Sequence, residues 1–132
     1  MYHFSETSLE RLGSCDERLQ EILHEAIKHL DFSVLCGHRS KEEQNEAYRQ
    51  GQSKVRWPDS KHNQYPSLAV DVWPYPIEWD DTDRITYLAG IVTQIARSKG
   101  VDLRWGGDWD GDGMLKDQEF IDMPHFELVK TG

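Results

Sequence analysis

Two histidines and two aspartates between residues 62 and 125 have the types and spacing of a catalytic metal site. His62 precedes Asp71 in one segment, and Asp122 precedes His125 in another. Catalytic zinc needs three protein ligands and an open position for water, together with a carboxylate that takes a proton from that water. We therefore predict a zinc site with His62, Asp71 and His125 as ligands and Asp122 as the general base.

A second candidate metal site lies between these two segments, at positions 108–119. The stretch has aspartates at loop positions one, three and five, a glycine at six and a glutamate at twelve, which is the pattern of an EF-hand calcium loop. The predicted calcium-binding residues are Asp108, Asp110, Asp112, Met114 and Glu119. An acidic, solvated loop without calcium is the alternative.

The surroundings of this loop differ from those of a complete EF-hand. Residues 105–107 replace the usual entering helix, and Pro124 shortens any exiting helix. Because the loop ends a few residues before Asp122 and His125, a bound cation would order the segment that carries both. We therefore expect the activity to depend on calcium.

The composition restricts the partners that the chain can have. A chain of 132 residues forms one domain by size. The net charge of −9, from 24 acidic and 15 basic residues, argues against nucleic acids and anionic membranes. Cys15 and Cys36 are the two cysteines, which favours reduced thiols over a disulfide scaffold and leaves a single bridge between them as the alternative.

The sequence carries no signal for export or membrane insertion. The N-terminal residues lack a basic start followed by an apolar stretch, and no later window approaches the length of a membrane span. We expect a monomer that is made in the cytoplasm without a signal peptide and has no stable membrane association. If it acts outside the cytoplasm, another factor must release it.

Hydrophobic periodicity and turn residues indicate the elements that position the candidate site. Helices are predicted at 16–30, 41–50 and about 85–100, and short strands at 32–36, 68–72, 103–105 and 125–129. Asp71 and His125 each lie on the strand face opposite their apolar neighbours. His62 falls in a polar loop at 52–66. The order of these elements predicts an α+β domain with a small, mostly antiparallel sheet and flanking helices.

Six segments match the motifs of a known family, in the expected order and over most of the chain. They are Gly37-His38-Arg39-Ser40 with Glu43-Gln44 and Tyr48, Gly51-Gln52-Ser53-Lys54, Ser60-Lys61-His62, Ala69-Val70-Asp71-Val72, Trp105-Gly106-Gly107-Asp108-Trp109, and Asp122-Met123-Pro124-His125-Phe126-Glu127-Leu128. The chain thereby resembles the VanY-type D-alanyl-D-alanine carboxypeptidases and the related phage L-alanyl-D-glutamate endopeptidases. These are zinc peptidases of peptidoglycan with a Hedgehog-like, DD-peptidase-like fold.

The resemblance implies the same zinc ligands and the same catalytic carboxylate as the chemical argument. It also implies that Arg39 orients the substrate, a role that suits the fixed donor geometry of a guanidinium group. Ser60 is either a substrate-binding residue or an ordinary turn serine. One departure is the spacing from His62 to Asp71, which residues 63–67 lengthen relative to the family. The two ligands can still meet if these residues bulge outward.

The sequence therefore predicts a zinc-dependent peptidoglycan peptidase. We expect a single domain at 1–132 with an inserted calcium loop at 108–119. The expected function is that of a phage endolysin that is made in the host cytoplasm and cuts the L-alanyl-D-glutamate bond of the stem peptide after release, under calcium regulation. The alternatives are a D-alanyl-D-alanine carboxypeptidase and a noncatalytic, metal-binding module that binds the cell wall.

Overall fold

Four antiparallel strands from different parts of the chain form one sheet. The computed structural model describes residues 2–114 and 121–129. Its strands are β1 (Phe32–Cys36), β2 (Ala69–Pro74), β3 (Leu103–Trp105) and β4 (His125–Leu128). They lie in the order β1-β2-β4-β3, and each neighbouring pair is antiparallel. The predicted strands are thus confirmed, with ends that shift by one or two residues.

Helices are the other regular elements among the described residues. They are α1 (Glu6–Gly13), α2 (Glu17–Ala26), α3 (Lys41–Arg49) and α4 (Thr82–Ser98), with a short 3-10 helix at Lys61–Asn63. α1 packs against β1, and α4 packs against β2, β3 and α2. The predicted α+β class is therefore confirmed. Among the described residues, no helix has both the length and the apolarity that crossing a membrane would require.

The sheet separates the hydrophobic core from the candidate site. Val70 on β2 pairs with Phe126 on β4, and both side chains are fully buried. The core continues into the helices through Leu19, Ile22, Leu23, Ile85, Leu88 and Val92. Each such side chain contributes about 1.5–3 kcal/mol when it is buried. Because side chains alternate along a strand, Asp71 and His125 project from the opposite face.

Helix α1 was not among the predicted elements. The helix is only eight residues long and buries only Ser8 and Leu12, so few apolar residues mark it in the sequence. The start of the helix is fixed instead by Ser5, whose hydroxyl accepts a hydrogen bond from the main-chain N–H of Ser8 at 3.1 Å.

The predicted helix at 16–30 is shorter in the structure. It begins after its cap Asp16, as predicted, but ends at Ala26. The following N–H groups of Lys28 and His29 donate to carbonyls only three residues back, so the chain tightens into a turn before β1. The other two predicted helices are confirmed, and Gly51, which follows α3, has a φ of 77° that favours glycine.

Candidate active site

Strand pairing brings Asp71 and His125 together. Asp71 in β2 lies directly opposite His125, the first residue of β4. Side chains at opposed positions of an antiparallel pair share one face of the sheet and lie close to each other. The Oδ1 atom of Asp71 is accordingly 3.1 Å from Nδ1 of His125.

His62 reaches the same point from the long loop before β2. The 3-10 helix at Lys61–Asn63 presents the imidazole, which is fully buried. Its Nε2 atom lies 3.2 Å from Oδ1 of Asp71 and 3.3 Å from Nδ1 of His125. The three predicted zinc ligands therefore meet in space although 63 residues separate the first from the last.

The lengthened spacing between His62 and Asp71 does not disturb this meeting. The main-chain N–H of Leu68 donates to the carbonyl of Lys61 at 3.1 Å and closes the loop at its base. Residues 64–66 are exposed, with Tyr65 at 74%. Residues 64–66 therefore bulge outward, as the sequence required if the ligands were to meet, whereas Ser67 is buried.

The three donor atoms are spaced like the ligands of a tetrahedral zinc ion. Zinc bonds to nitrogen and oxygen ligands at about 2.0–2.2 Å, which places neighbouring tetrahedral ligands about 3.3–3.6 Å apart. The observed separations of 3.1, 3.2 and 3.3 Å are close to this spacing. Two imidazole nitrogens and a carboxylate oxygen also form a ligand set that zinc accepts. The residues present therefore fit the predicted metal.

A hydrogen-bond acceptor orients the second nitrogen of each histidine. Nδ1 of His62 lies 2.7 Å from the carbonyl of Gly37, and Nε2 of His125 lies 2.8 Å from Oε1 of Glu127. A neutral imidazole that donates from one nitrogen has a lone pair on the other. These partners therefore leave Nε2 of His62 and Nδ1 of His125 free to bind a metal, as outer partners of zinc histidines do.

Glu127 is itself held by two cations. Arg104 donates to its Oε2 at 2.8 Å, and Lys61 Nζ lies 3.3 Å from the same atom. Burial disfavours the charge on Glu127, but the hydrogen bonds from His125 and Arg104 outweigh it and lower the pKa to about 2. Glu127 is therefore a carboxylate at neutral pH and a strong acceptor for His125.

The charge of Asp71 dominates the metal-free cluster. Burial opposes protonation of both histidines, but the Asp71 carboxylate outweighs it and raises the pKa of His62 to about 10 and that of His125 to about 8. The same contacts hold the pKa of Asp71 well below its usual range, although burial works against this. A bound cation would replace the protons on the imidazoles, so metal binding and proton release are coupled.

Asp122 lies at the edge of the cluster, as predicted. Its Oδ2 is 3.9 Å from Nδ1 of His125, and burial followed by the charge of Asp71 raises the pKa of its carboxyl. Its main-chain N–H donates to the carbonyl of Gly106 at 2.8 Å. This approach requires glycine, because a Cβ atom on residue 106 would lie 2.0 Å from the Asp122 carbonyl oxygen.

Arg39 contacts a predicted metal ligand. Its NH2 group donates to Oδ2 of Asp71 at 3.3 Å, and its NH1 group donates to Oε1 of Gln44 at 3.0 Å. Gln44 is fully buried and also donates to Ser53 and to the carbonyl of Val55. The guanidinium group thus orients the ligand carboxylate, and its predicted contact with substrate stays a prediction.

Ser60 caps the 3-10 helix that carries His62. Its hydroxyl accepts a hydrogen bond from the main-chain N–H of His62 at 3.1 Å, and its own N–H donates to Oδ1 of Asn63. The residue also lines the cleft described below. Of the two predicted alternatives, the structure gives the turn role directly, and a contact with substrate stays a prediction.

Cys36 lies beside one of the predicted zinc ligands. It is only half-buried, and its Sγ lies 3.9 Å from Nδ1 of His62. Cys36, His62 and Asp71 offer ligand atoms within 4.8 Å of one another. Since Nδ1 of His62 is engaged by Gly37, the thiol approaches the imidazole on the side away from the predicted metal. Both cysteines are free thiols, and burial raises the pKa of Cys15 to about 12.

A cleft of about 670 Å³ opens beside the cluster. His62, Asp71, Asp122 and His125 all line it, together with Arg39, Ser60, Trp79 and Trp109. Trp79 is 59% exposed and rests on Trp73 with a ring distance of 5.0 Å. Two of the tryptophans therefore form cleft walls, whereas Trp73 and Trp105 belong to the core.

The acidic loop is partly described. Asp108, Asp110 and Asp112 bring ligand oxygens within 4.8 Å of one another. Gly113 donates its N–H to Oδ2 of Asp108 at 2.9 Å and has a φ of 78°. Oδ1 of Asp108 is buried and has no hydrogen-bond partner within the described ranges. Met114 is exposed, and Glu119 lies outside the described residues.

Two residues of the site were not predicted as functional. The signal for Glu127 was its position two residues after His125 in a strand, which places both side chains on one face. Gln44 lies in one of the matched family segments, but its role could not be read from its neighbours, because its partners Arg39 and Val55 come from segments on either side of α3.

Comparisons with known proteins identify the family of this chain. A family model for phage L-alanyl-D-glutamate peptidase matches residues 1–129. The chain is 26% identical over 136 residues to the L-alanyl-D-glutamate peptidase of Escherichia phage T5, which covers 97% of this chain and 98% of that protein. It is 30% identical over 121 residues to the peptidoglycan L-alanyl-D-glutamate endopeptidase CwlK of Bacillus subtilis, which covers 79% of this chain and 64% of that protein.

A solved structure extends the likeness to the fold. The crystal structure of the Serratia marcescens L-Ala D-Glu endopeptidase ChiX is similar, with a TM-score of 0.76 and 29% identity over 96% of this chain and 90% of that one. The predicted DD-peptidase-like fold is thereby confirmed. The match of the family model over nearly the whole chain decides the relationship: this protein belongs to the phage L-alanyl-D-glutamate peptidase family.

Proposed function

We propose that this chain is a zinc-dependent peptidoglycan hydrolase that cuts the amide bond between L-alanine and D-glutamate in the stem peptide. The observation that carries the proposal is the meeting of His62 Nε2, Asp71 Oδ1 and His125 Nδ1 at the edge of an open cleft. Membership of the family and the names of the three similar proteins support the choice of bond.

The donor set supports a catalytic metal more than a structural one. Structural zinc normally has four protein ligands, whereas catalytic zinc has three and an open position. Here three donors face a cleft that is also lined by Asp122. When bound there, zinc would supply a Lewis acid and would lower the pKa of a coordinated water molecule. This arrangement argues against a noncatalytic wall-binding module.

Asp122 is the proposed general base. Its carboxylate lies at the rim of the donor cluster and can accept a proton from the attacking water and return it to the leaving amine of D-glutamate. Burial raises the pKa of this carboxyl, which makes it a stronger base than an exposed aspartate. The Gly106 carbonyl fixes the main chain of Asp122, so the carboxylate is held in place before substrate arrives.

Arg39, Ser60 and Trp79 are the proposed substrate contacts. All three line the cleft beside the metal ligands. Arg39 would orient the substrate while it holds Asp71, and Ser60 would use its hydroxyl hydrogen, since its oxygen already accepts from His62. The exposed ring of Trp79 offers an apolar wall to the stem peptide.

We also propose that the loop at 108–119 binds calcium and regulates the enzyme. Three clustered carboxylates and the buried, unpartnered Oδ1 of Asp108 among the described residues support a cation there. Main-chain hydrogen bonds join the start of the loop to the site, from Gly106 N–H to the His125 carbonyl at 2.7 Å and from Asp122 N–H to the Gly106 carbonyl. Calcium binding to this loop would therefore affect the positions of Asp122 and His125.

The proposed biological role is that of a phage endolysin. The similarity to the phage T5 protein over nearly the full length of both chains supports this role. We propose a single-domain monomer that is made in the host cytoplasm and acts on the cell wall after release.

Mass spectrometry of purified peptidoglycan digested with the zinc-loaded protein tests the proposed bond. We expect released fragments with a new N-terminal D-glutamate and glycan strands that keep L-alanine. Loss of terminal D-alanine would make the enzyme a carboxypeptidase instead. Intact peptidoglycan, with protein bound to it, would leave only the wall-binding module.

A further inference from the structure

Trp109 packs against a predicted metal ligand. Its ring centroid lies 5.5 Å from that of His125, with the two planes tilted by 46°. The guanidinium carbon of Arg104 lies 5.4 Å from the centroid of the same indole ring. Trp109 therefore has the imidazole and a cation as neighbours, a set of contacts that restrains an aromatic side chain.

Arg104 joins this contact to the other side chain that holds His125. Its NH2 group donates to Glu127 at 2.8 Å, and Glu127 in turn accepts from His125. The imidazole is thus held by a hydrogen bond to Glu127 and by packing against Trp109, while Arg104 contacts both of these partners. Loss of the indole ring would leave the imidazole held only at its two nitrogens, by Glu127 on one side and by Asp71 and His62 on the other, and would remove the packing contact that limits tilting of the ring.

Main-chain hydrogen bonds anchor the backbone around Trp109 to β3 and β4. Asp108 donates its N–H to the Trp105 carbonyl at 3.0 Å, and Gly111 donates to the Asp108 carbonyl at 3.1 Å, so a turn fixes residue 109. Gly106 donates to the carbonyl of His125. The indole ring and the metal ligand therefore belong to segments that are held in register.

We propose that Trp109 is a positioning residue for His125, through which the segment that begins at Asp108 sets the orientation of a metal ligand. The proposal rests on the proposed function in that His125 binds the metal through Nδ1. A metal–imidazole bond requires the nitrogen lone pair to point at the ion, so tilting of the ring lowers metal affinity. Removal of an outer partner of a metal histidine typically costs about 10- to 100-fold in affinity.

Cobalt binding by Trp109→Leu, Trp109→Phe and the wild type tests this role. Co²⁺ affinity is measured by competition with a chelator, and the visible spectrum of the bound ion reports its coordination geometry. We expect Trp109→Leu to bind Co²⁺ about 10- to 100-fold more weakly with an altered spectrum. Trp109→Phe keeps an aromatic wall and should restore most of the affinity.

Trp57→Leu is the matched control. Trp57 is 41% exposed, lies over Lys41 and does not line the cleft, so its loss should leave cobalt affinity and spectrum unchanged. A Trp109→Leu protein that binds Co²⁺ with the wild-type affinity and spectrum would overturn the positioning role alone. A wild-type protein that does not bind Co²⁺ would overturn the proposed metal site and this role together.

A second measurement does not depend on any variant. In the metal-free wild-type protein, proton NMR should show nuclear Overhauser effects between the rings of Trp109 and His125. The His125 ring protons should also be displaced by the indole ring current, and Trp109→Phe should change that displacement. Absence of both signals in the folded protein would overturn the proposal even if Trp109→Leu fails to fold.

Discussion

The two candidate metal sites differ in how much of each is formed without an ion. In the zinc site, His62 and His125 are buried and each has one nitrogen engaged by a hydrogen-bond acceptor. In the acidic loop, Asp110 and Asp112 are exposed, and the carboxylates accept hydrogen bonds from nearby main-chain N–H groups. One site is built by the fold, and the other by a local turn.

This difference indicates which site can respond to its ion. A site whose ligands are fixed by strand pairing and outer hydrogen bonds changes little when the metal binds. A loop with clustered like charges gains order when a cation neutralises them, and its order passes to whatever it contacts. The zinc site is therefore suited to chemistry, and the acidic loop is suited to regulation.

Glu127→Gln should damage the fixed site most among the changes that spare its ligands. The amide keeps the shape of Glu127 but loses the charge that accepts from His125 and binds Arg104. We expect zinc affinity, measured by chelator competition, to fall about 10- to 100-fold. Glu46→Gln, which alters an exposed ion pair with Arg49, is the control. Unchanged zinc affinity would show that the orientation of His125 does not depend on this carboxylate.

Removal of calcium from the acidic loop should lower the activity, although this loop does not contain the proposed catalytic residues. At fixed free zinc, we expect chelation of calcium to lower the cleavage rate about tenfold, within the 5- to 150-fold range of allosteric couplings. The double variant Asp110→Asn and Asp112→Asn should lose this response, whereas Asp83→Asn on α4 should keep it. Equal wild-type rates with and without calcium would remove the regulatory role and leave the zinc site intact.

Gly106→Ala should disturb the backbone link between the two sites. The added Cβ would collide with the Asp122 carbonyl, and such overpacking typically costs about 1–3 kcal/mol of folding free energy. Gly90→Ala in α4 is the matched control, because no atom lies within 4 Å of a Cβ there. It should stabilise the protein by about 0.4–1 kcal/mol. Urea unfolding that ranks the two variants in the reverse order would contradict the predicted collision.

The pH dependence of the metal-free protein tests the charged cluster without any metal. Asp71 raises the pKa of His62 to about 10 and that of His125 to about 8, above their ordinary value near 6.5. A histidine whose pKa is higher in the folded state stabilises that state fully at pH values below its unfolded-state pKa. This stabilisation is lost as the pH rises through the folded-state pKa. The urea midpoint should therefore fall between pH 6.5 and 10. Asp71→Asn should flatten this fall, and a flat wild-type profile would argue against the charged cluster.

The ligand set could be predicted from sequence because its chemistry is carried by residue types. Histidine and aspartate are residue types that zinc accepts, so His62, Asp71 and His125 could be proposed as a joint ligand set, and alternation along β2 and β4 put Asp71 and His125 on the face opposite their apolar neighbours. Their distances could not be predicted. They depend on the register between β2 and β4 and on the closure of the loop at Leu68, which are both long-range contacts.

The features that could not be predicted from the sequence are contacts between distant segments, the short helix α1 and the end of α2. Gln44 and Arg104 act through partners elsewhere in the chain, so no local pattern reveals them. Helix α1 has too few apolar residues for a helical pattern, and α2 ends early because its last turn tightens. In each case the tertiary packing decides, and local propensity does not.

Comparison of the zinc-loaded wild type with Asp122→Asn tests whether Asp122 is the general base of a zinc peptidase. Zinc content and peptidoglycan cleavage are measured on the same samples, with Asp83→Asn as the control. We expect Asp122→Asn to keep its zinc and its fold while cleavage falls about 10²- to 10⁴-fold, the usual contribution of a general base. Wild-type cleavage by a zinc-loaded Asp122→Asn protein would contradict the proposed site.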